Sequence, residues 1–171
     1  MALRTVLTWP NPRLRDIATD VPCLDTEVLA LVEDLFETMY AEEGVGLAST
    51  QIGVPLRVVV VDCSPEKDEP LALINPKIVR GEGTILWREG CLSLPGVTAE
   101  VERFASIEVE FLNVAGRLVR YETDGLESVC IQHEIDHLDG QLYIDRLAVF
   151  ERKATLLDYD EAQITSEKDA E

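Results

Sequence analysis

One stretch late in the chain, Leu126 to Leu138, is apolar on nearly every side of a helix, through Leu126, Val129, Cys130, Ile131, Ile135 and Leu138. A helix with one apolar stripe lies on a surface, whereas one that is apolar nearly all round is enclosed. Asp124-Gly-Leu-Glu127 reads as a capping-box start, and Gly140 as the stop. The sequence before it is rich in strand patterns. The expected fold is therefore α+β, with mostly antiparallel sheets wrapped around this central helix. The same helix holds the only two histidines of the 171 residues, in His133-Glu134-Ile135-Asp136-His137. Positions i and i+4 share a helix face, so both imidazoles can reach one metal ion. Glu134 beside them is the usual base for a water on such a metal.

Apolar positions at Val28, Leu31, Val32, Leu35, Phe36, Met39 and Tyr40 predict an amphipathic N-terminal helix from about Thr26 to Glu42, with Asp25 or Thr26 as cap and Gly44 as stop. Before it, Leu3 to Thr8 reads as extended and Pro10-Asn11-Pro12 as a turn. Arg57 to Asp62 reads as a buried strand, and Leu71 to Ile74 as another that Asn75-Pro76 stops. Short strands at Ile78-Val79 and Ile85 to Trp87 follow. Ser106 to Val114 alternates and turns at Ala115-Gly116 into Leu118 to Tyr121, a hairpin. The division is one domain over 1–150 and a short acidic tail over 151–171.

A net charge of −18 argues against nucleic acid as a direct partner. No apolar run approaches a membrane span, and the N-terminus lacks a secretory signal, so a cytoplasmic protein is expected. Cys23, Cys63, Cys91 and Cys130 form no CxxC motif and read as reduced thiols, with Cys23 and Cys63 passive.

Two histidines leave a catalytic metal one protein ligand short. A third histidine does not exist. The open choices are a carboxylate (Asp139, Asp145, Glu151 or Asp158) and a cysteine thiolate, with Cys91 in Glu89-Gly90-Cys91-Leu92-Ser93 the strongest candidate. A third element, Gly44-Val45-Gly46-Leu47-Ala48-Ser49-Thr50-Gln51, has glycines that let backbone approach a ligand, and an amide donor in Gln51.

These three segments, in this order, resemble the three signature motifs of the peptide deformylases. The likeness runs from about Arg4 to Leu147, through Phe36-Glu-Thr-Met-Tyr40, Leu73-Ile-Asn-Pro76 and Gln141 to Arg146. The resemblance implies a hydrolase that removes the formyl group from N-formylmethionyl peptides and releases formate. It implies a divalent metal on Cys91, His133 and His137, with Fe²⁺ expected and Zn²⁺, Ni²⁺ or Co²⁺ able to substitute. An accessible iron–thiolate site further implies inactivation in air. Glu134 would be the general base, with Gln51 and the Leu92 N–H stabilising the oxyanion. Val45, Gly46, Trp87, Glu89, Leu126, Val129 and Cys130 would bind substrate, and Trp87 stands where an aliphatic residue is common. Asp136 is read as a partner of Arg103, as support behind the metal, or as a solvated charge.

Two departures stand out. Ser49 replaces a second alanine of the first motif, and its hydroxyl needs a partner if buried. Bacterial relatives often end in a basic helix that docks on the ribosome, whereas residues from Glu151 on carry seven acidic groups against three basic. Ribosome association is therefore expected to be weak at most, and a monomer is expected. The competing readings are a zincin-type endopeptidase with a carboxylate third ligand, and a catalytically silent formyl-peptide-binding module.

Overall fold

A computed structural model describes residues 2–169. In chain order its elements are helix α1 (Thr26–Ala41), strands β1 (Gly46–Ala48), β2 (Val58–Val61), β3 (Leu71–Glu82), β4 (Ile85–Cys91), β5 (Leu94–Arg103), β6 (Ser106–Leu112) and β7 (Leu118–Asp124), then helices α2 (Gly125–Leu138) and α3 (Val149–Asp169). The class is α+β, with every strand pair antiparallel. One sheet runs β1-β2-β3-β6-β7 and a second is the β4–β5 ribbon.

The four consecutive valines of β2 are all fully buried. Alternate side chains point to opposite faces of a sheet. Val58 and Val60 join Ala72 and Ile74 under Val28, Leu31, Val32, Leu35 and Met39 of α1. Val59 and Val61 join Leu73, Val109 and Phe111 against Cys130, Ile131, Ile135 and Leu138 of α2. A helix on each face explains a β-branched run with no polar alternation.

Asp25 caps α1, its carboxylate accepting from the backbone N–H groups of Glu27 and Val28 at 3.0 and 2.9 Å. At the other end the left-handed residue is Glu43, at φ 56°, and not Gly44. Gly44 serves packing instead, since a Cβ there would meet Leu92 Cδ1 at 3.0 Å and the Met39 carbonyl at 3.3 Å.

Asn75-Pro76 does not stop a strand. It sits inside β3, at a register shift between Ile74 and Lys77 against β6. Asn75 takes φ 52°, and its side chain exchanges hydrogen bonds with the backbone of Val21 at 2.8 and 3.0 Å. A bulge accommodates the proline's missing donor without ending the pairing. The expected capping box at Asp124 is not formed either. Glu127 is instead held by the hydroxyls of Tyr121 and Thr123, at 2.9 and 2.6 Å.

The acidic C-terminal segment is helical from Val149 to Asp169. Leu156 and Tyr159 pack on Leu94, Val97 and Val101 of β5, and the Tyr159 hydroxyl donates to the Trp9 carbonyl at 3.0 Å. Among the described residues no helix is long and apolar enough to cross a membrane.

Candidate metal centre

All residues of α2 from Ser128 to Leu138 are buried. His133 and His137 bring their Nε2 atoms to 3.2 Å of each other. Cys91 ends β4, and its Sγ lies 3.3 Å from His137 Nε2. The three ligand atoms all fall within 4.8 Å of one another. Around a tetrahedral ion with M–N of about 2.0–2.1 Å and M–S of about 2.3 Å, neighbouring ligand atoms stand roughly 3.3–3.8 Å apart. The donor set fits one such ion.

None of the candidate carboxylates joins this cluster. Asp139 pairs with Arg57 at 2.7 Å, and Asp145 is held by Arg15 and Arg152. Glu151 and Asp158 lie on α3.

Behind His133 stands a chain of buried charges. Its Nδ1 is 2.7 Å from Glu89 Oε2, so Nε2 is the nitrogen turned to the cluster. Arg103 donates to both Glu89 oxygens, at 2.6 and 2.9 Å, and to Asp136 at 2.6 Å. Arg146 donates twice to Asp136, at 2.6 and 2.7 Å. Asp136 is thus a bridge between two guanidinium groups. Burial pushes the Glu89 carboxyl up, but Arg103 and His133 outweigh it and hold it at about 2. Glu89, one of the residues the resemblance assigns to substrate binding, borders the cavity, and both its oxygens are engaged by Arg103 and His133.

In the metal-free protein, burial pushes the His133 imidazole down, but hydrogen bonds to Cys91 and Glu89 hold it well above its ordinary value. Burial, with His133 beside it, pushes His137 well below. His137 Nδ1 is buried without a hydrogen-bond partner among the described residues.

Glu134 is 4% exposed, and its Oε2 also lacks a partner. Burial lifts its carboxyl to about 7. Gly46 makes room for it, because a Cβ at that position would lie 2.5 Å from Glu134 Oε1 and 2.7 Å from Cys130 Sγ. Gln51 is oriented by two contacts. Its oxygen accepts the Ala48 N–H at 2.9 Å, and its Nε2 donates to Ser93 Oγ at 3.1 Å with Cys91 Sγ at 3.7 Å. The buried Ser49 hydroxyl finds its partner in the Leu56 carbonyl. Thr50 Oγ1 donates to the His137 carbonyl at 3.1 Å and ties the first motif to α2.

A cavity of about 610 Å³ opens on Glu134, His133, Cys91, Leu92 and Gln51. Val45 and Gly46 form one side, Trp87 another, and Leu126, Val129 and Cys130 line it from α2. Sequence reasoning missed the clasp of Glu89 on His133, Ser93 beneath Gln51, and Tyr143 stacked on His133 with ring centroids 6.1 Å apart. For Glu89 the available signal was its i, i+2 spacing from Cys91 on one strand.

The model of the polypeptide deformylase family matches residues 3–153. A peptide deformylase of Aquifex aeolicus is 46% identical over 160 residues, covering 92% of this chain and 95% of that protein. The crystal structure of a peptide deformylase from Legionella pneumophila superposes with a TM-score of 0.92 at 39% identity, over 96% of this chain and 98% of that one. One from Synechococcus elongatus, in complex with actinonin, gives 0.85 at 38% identity over 92% and 86%. With Cys91, His133 and His137 gathered at one point and nearly its whole length matched, the chain belongs to the polypeptide deformylase family.

Proposed function

We propose that this chain is a metal-dependent hydrolase that removes the formyl group from the N-formylmethionyl end of new polypeptides and releases formate. The observation that carries this reading is the uncommitted, buried Glu134 carboxylate beside the Cys91–His133–His137 cluster, at the floor of an open cavity.

Cys91, His133 and His137 would hold a divalent ion, which would supply Lewis acidity to the formyl carbonyl and to the attacking water. Glu134 takes the proton from the water that attacks the formyl carbon. It then delivers that proton to the departing amine nitrogen. Negative charge grows on the formyl oxygen, and Gln51 Nε2 and the Leu92 N–H donate to it. One such donor contributes about 3 kcal/mol to the transition state. Val45, Leu126, Val129 and Cys130 take the methionine side chain, with Trp87 shaping the rim. The Gly46 backbone bonds the peptide, which lies extended as an added strand. Glu89 holds His133 in the tautomer that ligates.

In this reading the metal is Fe²⁺, with Zn²⁺, Ni²⁺ or Co²⁺ competent in its place. The catalytic unit is residues 1–150, with α2 as its central helix and α1 as its amphipathic N-terminal helix. Residues 151–171 are an acidic appendage that leaves ribosome binding weak and salt-sensitive. The protein works as a cytoplasmic monomer with no nucleic-acid or membrane partner. The deciding experiment is formate release from a formyl-Met tripeptide after anaerobic metal reconstitution. Turnover that Cys91→Ala abolishes, together with metal binding, is expected. No turnover with metal bound overturns the proposal.

A further inference from the structure

The side of the cavity formed by Val45 and Gly46 is the start of an edge strand. β1 pairs with β2 along one side and, among the described residues, with no strand on the other. More than the ladder pins its inner side. The Asp62 N–H, just after β2, donates to the Val45 carbonyl at 2.8 Å. One residue earlier, the Gly44 carbonyl accepts from Lys67 Nζ at 3.1 Å, and the same ammonium donates to the Asp62 carbonyl at 3.0 Å. Lys67 therefore bridges the two chain segments where the first motif meets β2.

The loop that carries Lys67 is ordered so as to aim this side chain. Lys67 sits in the left-handed region at φ 57°, a conformation that a residue with a Cβ keeps only where its surroundings hold it. The Ser64 hydroxyl accepts the Asp68 and Glu69 N–H groups at 3.0 and 3.3 Å, and donates to Asp62 Oδ1 at 2.6 Å. The Asp62 carboxylate is fully buried, and its other oxygen accepts the Tyr40 hydroxyl at 2.7 Å. The end of α1, the end of β2 and this loop are thus tied at one point. The chain has 33 acidic residues against 15 lysines and arginines. Even so, among the described residues Lys67 makes no close ion pair and gives its ammonium to two carbonyls.

We propose that Lys67 is a positioning residue of the substrate site: its ammonium clamps the Gly44 and Asp62 carbonyls and thereby holds the free edge of β1 where an extended peptide pairs with it. A strand added to an edge is bound through main-chain groups whose spacing must already be right. Two hydrogen bonds from a charged donor keep Gly44 and Asp62 at that spacing before substrate arrives. Without them, part of the binding energy goes into ordering the wall. At saturation the bound peptide restores that order, so the loss falls on KM and spares kcat.

The substrate half of this inference rests on the reading of the Gly46 edge as the peptide's seat, whereas the clamp itself does not. The test compares nickel-loaded holoenzyme of the parent, Lys67→Met and Lys67→Arg. Lys67→Met keeps the aliphatic stem and loses the donors. Its KM for a formyl-Met tripeptide should rise about ten-fold, the equivalent of one charged hydrogen bond, with kcat within about two-fold of the parent. Lys67→Arg, whose planar fork still offers donors to both carbonyls, should recover most of the lost KM. Amide exchange followed by mass spectrometry should speed up about ten-fold in Lys67→Met, in the peptides holding Val45 to Ala48 and Asp62, and stay level in α2. An unchanged KM, or a fall confined to kcat, overturns the positioning role. Exchange that is unaltered, or that speeds up equally in α2, overturns the clamp. No turnover by the metal-loaded parent refutes the deformylase reading alone, because the exchange pattern still decides the clamp.

Discussion

Glu134→Gln should make the metal-free protein more stable while removing its activity. The carboxyl is 4% exposed, and burial lifts its pKa from 4.5 to about 7. A raised folded pKa means that the fold favours the neutral acid. That preference is fully present below about 4.5 and is lost as pH rises through about 7. Above that window the native state must hold a buried, poorly partnered carboxylate. At about 1.4 kcal/mol per pKa unit, the shift amounts to roughly 3 kcal/mol. Glutamine keeps the shape without the charge. Urea unfolding of chelator-treated protein should show the variant more stable by about 3 kcal/mol near pH 8.5 and nearly level with the parent near pH 4. Reloading metal should shrink the gap, because a cation in the triad favours the parent's carboxylate. Loss of the base should lower kcat by about 10²–10⁴. A stability difference that is flat across the two pH values, or a variant weaker at high pH, would refute the reasoning.

Arg103→Met should destabilise the fold by about 3–5 kcal/mol in urea titrations, since it leaves buried Glu89 with only His133 and Asp136 with only Arg146. The same variant should weaken metal affinity about 10–100-fold, because Glu89 loses the partner that fixes it on His133; an unchanged dissociation constant by metal competition would argue against that support. Gln51→Ala should lower kcat by about 10²–10³ in formate-release assays, and a fall confined to KM would remove it from the oxyanion side. Trp87→Leu should change the preference for formyl-methionyl over formyl-norleucyl and formyl-leucyl peptides by up to about ten-fold, and an untouched ranking would place Trp87 outside the specificity pocket.

Some of this was legible from spacing alone. The buried face of α1 follows directly from Val28, Leu31, Val32, Leu35 and Met39, and the hairpin of β6 and β7 from alternation ending at Gly116. Other local readings failed because tertiary partners intervened. Asn75-Pro76 looked like a strand end until Val21 supplied a mould for the bulge. Glu127 looked like half of a capping box until Tyr121 and Thr123 claimed it. The acidic composition after Glu151 concealed Leu156 and Tyr159, whose spacing seats α3 on β5.

The site divides along the same line. His133, Glu134 and His137 are set by one helix, and helical periodicity is a property of the local chain, so the sequence determines that they share a neighbourhood. It also supplies the motif words that mark Cys91 and Gln51. Only the tertiary structure decides that Cys91 and no carboxylate meets the two imidazoles, because that contact spans 46 residues and two separate elements. The clasp of Glu89 on His133 and the Arg103–Asp136–Arg146 bridge are decided in the same way. They are side-chain meetings across packed layers, and no period along the chain encodes which charge will be opposite which.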